Sequence, residues 1–336
     1  MKTRKLREIK VSEIGMGCMG FSHGYGQIPP REASIAAIRE AHEYGCTFFD
    51  TAEGYGSFLY HEGHNEEILG EGLKDFRKDV VIATKMTFRE GETELGEPLY
   101  TALKKHLTQS MKRLQTDYVD LYYLHRVNET VPLEEVAVAM GRLIGEGMIR
   151  GWGLSQVSGA QLKTADAVTP VSAVQNLYNI MERDCDTDIF PYCLERGIGV
   201  VPFSPIASGV LSGKVTAATE FEKVDDVRVW VPQLASKENI IGNQPIVDVL
   251  TKCAEKKNAT NAQIAIAWML HKYPNVVPIP GSKNRVRIME NLKASEVTLT
   301  DAEFAALENE LAACTVYGHR GHVETQRVNF GNNWKK

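Results

Sequence analysis

Short, uniformly apolar runs recur along the whole chain, and each is followed by a stretch with helical periodicity. The runs show no polar alternation, which is typical of parallel strands buried on both faces. Strands that alternate with helices at this spacing predict right-handed βαβ units. The eight runs are "MGCMGFS" (16–22), "CTFFDTA" (46–52), "DVVIATK" (79–85), "YVDLYYLH" (118–125), "IRGWGLS" (149–155), "VSAVQN" (171–176), "GIGVVPFS" (197–204) and "NVVPIPGS" (275–282). Eight such units predict an α/β fold, a (β/α)8 TIM barrel.

A doubly wound open sheet is the rival architecture, and one motif favours it. The stretch "GMGCMG", residues 15–20, matches the dinucleotide fingerprint G-x-G-x-x-G. The fingerprint carries that meaning only where it opens a helix directly after a strand. Here Gly24, Gly26 and the pair Pro29–Pro30 follow, and they exclude a helix at this point. We therefore interpret the motif as the first barrel strand and its loop, where small residues let the backbone approach a ligand closely.

Three segments lie outside the repeat. Residues 4–15 predict an N-terminal hairpin that plugs the barrel floor. Residues 205–240 predict a long loop after the seventh strand, and a C-terminal tail follows a last helix at 300–313. Because no stretch has the composition of a linker, we expect a single domain over residues 1–336.

Composition narrows the class of protein. The formal net charge of −5 does not favour nucleic acid or an anionic membrane as a partner. The longest apolar stretch, "AIAWML" at 265–270, is far shorter than the ~20 residues of a membrane span. Six scattered cysteines without a C-x-x-C motif indicate reduced thiols and a cytoplasmic protein without a metal. The oligomeric state, monomer or homo-oligomer, stays open.

Ionisable residues stand at the ends of three neighbouring runs. Asp50, Lys85 and His125 end the second, third and fourth, and Tyr55 follows Asp50 by five residues. Each alone has an ordinary structural explanation, such as a turn residue or a lysine at the barrel rim. Active sites of these barrels form at the carboxyl ends of the strands, so we expect the four side chains to converge.

Four such groups can carry out acid catalysis on a carbonyl. Asp50 holds Lys85 charged, and we expect the lysine ammonium to lower the pKa of the Tyr55 phenol. Tyr55 then serves as general acid for an oxygen that gains negative charge, while the His125 imidazole orients that oxygen.

Several motifs resemble blocks of the aldo-keto reductase superfamily, in its order. These are "GCTFFDTAEGYG" with "NEEILG" (45–70), "LYYLHR", "IRGWGLS", "VQNLYN", "VPFSPIASGVLSGK" and "IPGSKNRVRIMENLKA". The resemblance extends over residues 15–294, nearly the whole barrel. It implies a catalytic tetrad of Asp50, Tyr55, Lys85 and His125. It also implies NADPH-dependent reduction of aldehydes or ketones, with the cofactor extended across the barrel mouth.

The resemblance assigns cofactor contacts to matching positions. Ser155 and Gln175 would hold the carboxamide, and Phe203 would stack on the nicotinamide. The pyrophosphate would lie against Ser204, Pro205, Gly209 and Leu211, the 2′-phosphate against Ser282, Lys283 and Arg287, and the adenine near Glu290 and Asn291. Further expected contacts are Gly20, Phe21, Asp50, Gln156, Lys214, Ile279 and Gly281. Two positions depart from the family pattern, Gly281 in place of a basic residue and Gln156 in place of an asparagine. If Lys283 points away from the cofactor, NADH becomes an alternative to NADPH.

The substrate wall is expected from aromatic and histidine residues at the mouth. We assign Tyr25, Tyr55, Phe88, His125 and Trp230 to it, which favours aromatic or medium-sized apolar carbonyls. Two other functions stay open. One is a cofactor-binding regulatory subunit resembling potassium-channel β subunits, and the other is a barrel hydrolase or lyase that uses Lys85 as a Schiff base.

Overall fold

The computed structural model describes residues 1–222 and 224–321. An antiparallel hairpin of two strands precedes a parallel sheet of seven strands. The strands are β1 Thr3–Leu6, β2 Ile9–Ser12, β3 Met16–Gly17, β4 Phe48–Asp50, β5 Val81–Met86, β6 Val119–Leu124, β7 Ile149–Ser155, β8 Ala173–Gln175 and β9 Gly199–Val200. Strands β3 to β9 are neighbours in chain order, as βαβ units require.

The predicted apolar runs form these strands. Every residue of β5 and of β6 is buried, which explains why neither run shows a polar alternation. The run predicted at 149–155 coincides with β7.

The last apolar run, 275–282, closes the ring without forming a regular ladder. It makes parallel bridges at Val276 with Val200 on one side and at Gly281 with Gly17 on the other. Backbone hydrogen bonds continue both contacts, since the Val277 amide donates to the Val200 carbonyl at 2.8 Å and the Gly15 amide donates to the Pro278 carbonyl at 2.9 Å. Pro278 and Pro280 have no amide hydrogen, so this eighth strand is interrupted. The predicted (β/α)8 barrel is confirmed.

The "GMGCMG" stretch is the first barrel strand and its loop, as predicted. Gly17 lies so close to the last strand that a Cβ on it would stand 2.8 Å from the Ile279 carbonyl oxygen. Glycine at this position therefore allows the two ends of the sheet to meet.

The N-terminal hairpin covers the floor of the barrel, as predicted. Leu6 is fully buried and packs on Gly199, where β9 begins, while Ile9 reaches Gly151 near the start of β7. Both contacts lie at the amino ends of strands, opposite the expected site. The barrel interior contains Leu6, Val11, Phe48, Val81, Ala83, Leu121, Tyr123, Ala173, Val201, Val277 and Ile279.

Helices surround the sheet, and the larger apolar core lies between them and the strands. They are α1 Arg31–Glu43, α2 His64–Leu73, α3 Glu97–Arg113, α4 Leu133–Gly145, α5 Gly159–Asp166, α6 Cys185–Arg196, α7 Lys237–Gly242, α8 Gln244–Lys257, α9 Asn261–Lys272, α10 Arg285–Leu292 and α11 Asp301–Ala312. Helix α11 begins after Thr300, whose side chain accepts a hydrogen bond from the Glu303 amide. Among the described residues no helix is long and apolar enough to cross a bilayer.

The segment 205–240 is not one continuous loop, contrary to prediction. Short 3-10 helices form at Ala207–Ser212, Val227–Trp230 and Pro232–Leu234, and α7 begins at Lys237. Local capping explains the last of these, because Ser236 accepts from the Asn239 amide. Residues 322–336 of the predicted tail lie outside the described residues.

Candidate active site

The predicted ionisable residues converge at one rim of the barrel. Asp50 and Lys85 belong to the carboxyl ends of β4 and β5, and His125 directly follows β6. Lys85 lies beside Tyr123 in the sheet register, so these strand ends are level with one another. The geometry brings together all four residues of the expected tetrad.

Lys85 is the centre of the cluster. Its Nζ donates to Asp50 Oδ1 at 2.5 Å and to the Thr51 carbonyl at 2.6 Å, and it lies 3.4 Å from the Tyr55 hydroxyl. The second oxygen of Asp50 accepts from Gln175 Nε2 at 2.8 Å. Burial alone would lower the pKa of Lys85, but the charges of Asp50 and Tyr55 and the hydrogen bonds to them together outweigh burial and raise that pKa. The ammonium therefore stays protonated although the side chain is fully buried.

Tyr55 lies on the turn after β4 and points at the same cluster. Its ring meets the His125 ring edge-on, with centroids 5.7 Å apart. The expected lowering of its pKa is wrong. Burial raises the pKa of Tyr55, and the Lys85 ammonium opposes that rise without cancelling it. The phenol is therefore protonated at neutral pH and holds a proton that it can donate.

His125 presents a neutral imidazole to the mouth. Its backbone amide donates to the Met86 carbonyl at 2.8 Å, which fixes the residue at the end of the sheet. Burial, followed by the charges of Arg126 and Lys85, lowers the pKa of His125 well below its usual range. A neutral ring donates one hydrogen bond, which suits the predicted orienting role.

Two residues expected to contact the cofactor, Ser155 and Gln175, are the last residues of β7 and β8. Ser155 Oγ, at the end of β7, accepts from Arg126 Nη1 at 3.1 Å. The neighbouring Gln156 has a left-handed backbone, with φ of 57°, and its side-chain oxygen accepts from the Leu177 amide at 2.8 Å. Gln175 is held by Asp50, so the carboxamide candidates join the tetrad in one network.

The segment after β9 has an unusual backbone. Phe203 is half-buried and continues the sheet through a bridge to Leu177. Buried residues follow it at Pro205 and Leu211. Left-handed φ angles, which glycine adopts readily and other residues rarely, occur at Ser204, Ala207, Ser208 and Gly209. Such turns expose amide groups that bind anions, and strained backbone of this kind occurs at ligand sites.

The candidates from the first loop and the last strand lie side by side. A Cβ on Gly20 would stand 3.5 Å from the Lys283 amide nitrogen. Phe21 and Ile279 are almost fully buried, so their side chains pack in the protein interior. Gly281 is exposed at the bridge that closes the barrel.

Lys283 does not point to the expected 2′-phosphate position. Its Nζ donates to the carbonyls of Tyr25 and Gln27, each at 2.7 Å, and lies 4.0 Å from Glu222. The lysine therefore connects the first loop to the last strand. Arg287 is exposed on α10, and its guanidinium has no ion-pair partner within residues 1–222 and 224–321.

The remaining adenosine-side candidates surround the start of α10. Ser282 Oγ accepts from the Asn284 amide at 3.1 Å, and Asn284 caps the helix. Lys214 Nζ lies 3.8 Å from Glu290 Oε2, and Asn291 is buried. A helix amino terminus that has a hydroxyl and a basic side chain beside it is suited to bind a phosphate.

The predicted substrate wall is only partly assembled. Tyr25 is half-buried on the first loop, with the Arg228 guanidinium 5.6 Å from its ring centre. Phe88 is buried in the loop after β5. Trp230 is 64% exposed, so most of its side chain faces solvent.

Sequence reasoning missed four residues near the cluster. Arg126 directly follows His125 in "LHR", and that adjacency could have indicated it. Glu53, His106 and the partly buried Glu92 form a chain of hydrogen bonds, with 2.8 Å from each histidine nitrogen to a glutamate. No local pattern marks His106, which lies in an ordinary amphipathic helix. The described part of the chain holds no cluster of side chains suited to a metal.

Comparison with known proteins agrees with the family resemblance of the sequence motifs. A family model described as the Aldo/keto reductase family matches residues 13–311. The chain belongs to the aldo/keto reductase family. Membership identifies it as an NAD(P)H-dependent oxidoreductase.

This aldo/keto reductase is similar to a curated protein from Glycine max, "Probable aldo-keto reductase 1". The two are 34% identical over 317 residues, which cover 93% of this chain and 88% of the relative. Among solved structures, a glycerol dehydrogenase from Gluconobacter oxydans matches with a TM-score of 0.80 at 26% identity, covering 93% and 95% of the two chains. An aldo/keto reductase from Klebsiella pneumoniae, in complex with NADP and acetate, matches with a TM-score of 0.70 at 26% identity, covering 92% and 94%.

Proposed function

We propose that this aldo/keto reductase reduces aldehydes and ketones to alcohols with NADPH, and that Tyr55 is the general acid. The observation that carries the proposal is the position of Lys85, whose Nζ lies 2.5 Å from Asp50 and 3.4 Å from the Tyr55 hydroxyl. A buried ammonium at this distance stabilises the phenolate that remains after Tyr55 gives up its proton.

Each member of the cluster has one task. Tyr55 donates its proton to the carbonyl oxygen, Lys85 stabilises the charge left on Tyr55, and Asp50 keeps Lys85 protonated and in place. The neutral His125 donates a hydrogen bond to the same carbonyl oxygen and orients it. NADPH, when bound, supplies the hydride to the carbonyl carbon.

The residues at the mouth fit an extended dinucleotide. The left-handed backbone offers the Ser204 and Ser208 amides to a pyrophosphate, since the Ala207 and Gly209 amides already donate to the Ser204 and Ile206 carbonyls. Phe203 offers a ring face to a nicotinamide. The Klebsiella pneumoniae relative was solved with NADP. With Lys283 occupied by two backbone carbonyls, Arg287 and Ser282 are the groups that select the 2′-phosphate.

The substrate is a small carbonyl compound with an aromatic or medium-sized apolar group. Phe88 and Tyr25 supply apolar surface on loops of the barrel mouth, whereas Trp230 faces solvent and contributes little. We place the enzyme in the cytoplasm, since all six cysteines are free, four of them buried.

The test follows NADPH fluorescence and NADPH oxidation with a panel of aldehydes, ketones and quinones. The proposal predicts binding of NADPH and turnover of at least one apolar aromatic carbonyl. NADPH binding without turnover of any carbonyl would contradict the reductase and favour a regulatory cofactor-binding protein. A protein that binds neither NADPH nor NADH would contradict both.

A further inference from the structure

A buried histidine connects two loops of the barrel mouth. His106, on α3, is 2% exposed. Its Nδ1 lies 2.8 Å from Glu53 Oε2, and its Nε2 lies 2.8 Å from Glu92 Oε2. A carboxylate only accepts hydrogen bonds, and a neutral imidazole has a single N–H, so both contacts require the doubly protonated ring. We call this arrangement of Glu53, His106 and Glu92 the His106 bridge.

The Glu53 end of the His106 bridge holds the turn that carries Tyr55. The Glu53 amide donates to the Lys85 carbonyl at 3.1 Å, and its carbonyl accepts from the Gly63 amide at 2.7 Å. Its other carboxylate oxygen accepts from the Thr87 amide at 3.2 Å. Through its hydrogen bonds to Lys85 and Thr87, Glu53 therefore holds the Tyr55 turn against the carboxyl end of β5.

The Glu92 end holds the loop after β5. Glu92 Oε2 accepts from the Arg89 amide at 2.9 Å, and the Glu92 amide donates to the Arg89 carbonyl at 3.2 Å. This closed turn directly follows Phe88, a residue of the proposed substrate wall. The His106 bridge therefore joins the turn of the general acid to the loop of the substrate wall.

Other charged groups surround the bridge, and each has its own partner. Glu66, on α2, pairs with Arg113 at 2.9 Å, and Arg113 pairs with Glu62 at 2.9 Å. Glu62 also pairs with Arg89 at 2.5 Å. From β6, the buried Tyr122 hydroxyl points into the same region without a hydrogen-bond partner among the residues described. The positive charge of His106 is therefore compensated by the carboxylates of Glu53 and Glu92.

The geometry points to His106 as a positioning residue of the reductase, whose imidazolium fixes the Tyr55 turn within reach of Lys85. This inference rests on the proposed function. Proton donation depends on the 3.4 Å separation of the Tyr55 hydroxyl and Lys85 Nζ, and a displacement of about 1 Å costs roughly 10²-fold in rate. His106 does not touch the reacting atoms; it acts through Glu53.

The His106 bridge gives the enzyme an alkaline limit of its own. Burial alone would lower the pKa of His106, but the hydrogen bonds and charges of Glu53 and Glu92 raise it above the usual value. A raised pKa in the folded state means that the bridge is intact below about pH 6.5 and is lost as the pH rises through the folded pKa. Tyr55, whose own pKa is raised above its usual value of about 10, loses its proton at higher pH.

The experiment compares kcat, KM, NADPH affinity and thermal unfolding of His106→Gln and Glu92→Gln with the wild type across the pH range. His271→Gln is the matched control, because His271 also pairs with an acid, Asp301 at 3.3 Å, on the outer helices. We expect His106→Gln to lower kcat by roughly 10- to 100-fold, to leave NADPH affinity unchanged and to abolish the alkaline limit that lies below that of Tyr55. Glu92→Gln retains that limit but shifts it to lower pH, since one of the two negative charges is lost. His271→Gln changes none of these.

Three results separate failure of this inference from failure of the proposed function. A wild-type enzyme that turns over carbonyls, with a His106→Gln variant of equal kcat and equal pH profile, overturns the positioning role even if the variant unfolds at lower temperature. A wild type without turnover of any carbonyl overturns the proposed function and this inference with it. A Glu92→Gln variant whose alkaline limit does not move also overturns the inference.

Discussion

Replacing Lys85 by methionine separates its role in stability from its role in catalysis. The side chain is fully buried, and the Asp50 carboxylate beside it is 3% exposed. Removal of the ammonium leaves that carboxylate buried with Gln175 as its remaining side-chain donor within the described structure. Breaking a buried ion pair in this way costs about 3–5 kcal/mol of unfolding free energy.

The catalytic cost follows from the distance to Tyr55. At 3.4 Å and an effective dielectric constant of about 20, the ammonium stabilises a full phenolate by about 5 kcal/mol. If about half of that charge has developed at the transition state, about 2.5 kcal/mol is lost, and kcat falls roughly 10²-fold. We therefore expect Lys85→Met to be both less stable and slower.

The double variant Asp50→Asn, Lys85→Met resolves the two effects. Removing both charges leaves no unpaired ion from this pair in the barrel mouth. Urea unfolding should show that most of the lost stability returns, whereas steady-state NADPH oxidation should show that activity does not. A Lys85→Met variant with kcat within tenfold of wild type, or a double variant that regains activity, would show that the Lys85 ammonium does not stabilise the Tyr55 phenolate.

Two further predictions concern the cofactor and the barrel closure. In steady-state assays, Arg287→Ala should raise the KM for NADPH roughly tenfold and leave the KM for NADH unchanged. Lys283→Ala leaves the carbonyls of Tyr25 and Gln27 without their donor, and it should raise the KM for both cofactors by a similar factor. Equal selectivity of Arg287→Ala and wild type would contradict this. Gly17→Ala should lower the unfolding free energy by about 1–3 kcal/mol, because its Cβ would meet the Ile279 carbonyl oxygen at 2.8 Å. Gly145→Ala, with no atom within 4 Å of the added Cβ, is the control, and equal denaturation midpoints for the two would argue against the close approach.

The barrel and the convergence of the four ionisable side chains could be predicted from the sequence because both depend on local patterns. Apolar runs without alternation predict buried parallel strands, and the residue at the end of each run then lies at the rim. Asp50, Lys85 and His125 could therefore be placed from strand ends alone. The interruption of the last strand was also readable in principle, since Pro278 and Pro280 stand in the run.

Features that depend on tertiary contacts were not predictable. The pKa of Tyr55 rises because of burial, and burial of a loop residue cannot be read from its neighbours in sequence. Lys283 has the residue type and position of a phosphate ligand, yet its Nζ donates to a loop more than 250 residues away. Glu53, His106 and Glu92 come from two loops and a helix, and only the folded barrel brings them together.

Single-turnover NADPH oxidation by Tyr55→Phe measures whether Tyr55 donates the proton in carbonyl reduction. Tyr60→Phe is the matched control, because Tyr60 lies on the same turn but is 51% exposed. If Tyr55 is the general acid, Tyr55→Phe slows the reaction by roughly 10²–10⁴-fold without loss of NADPH affinity, while Tyr60→Phe reacts like wild type. A Tyr55→Phe enzyme that oxidises NADPH as fast as wild type would contradict this role of Tyr55.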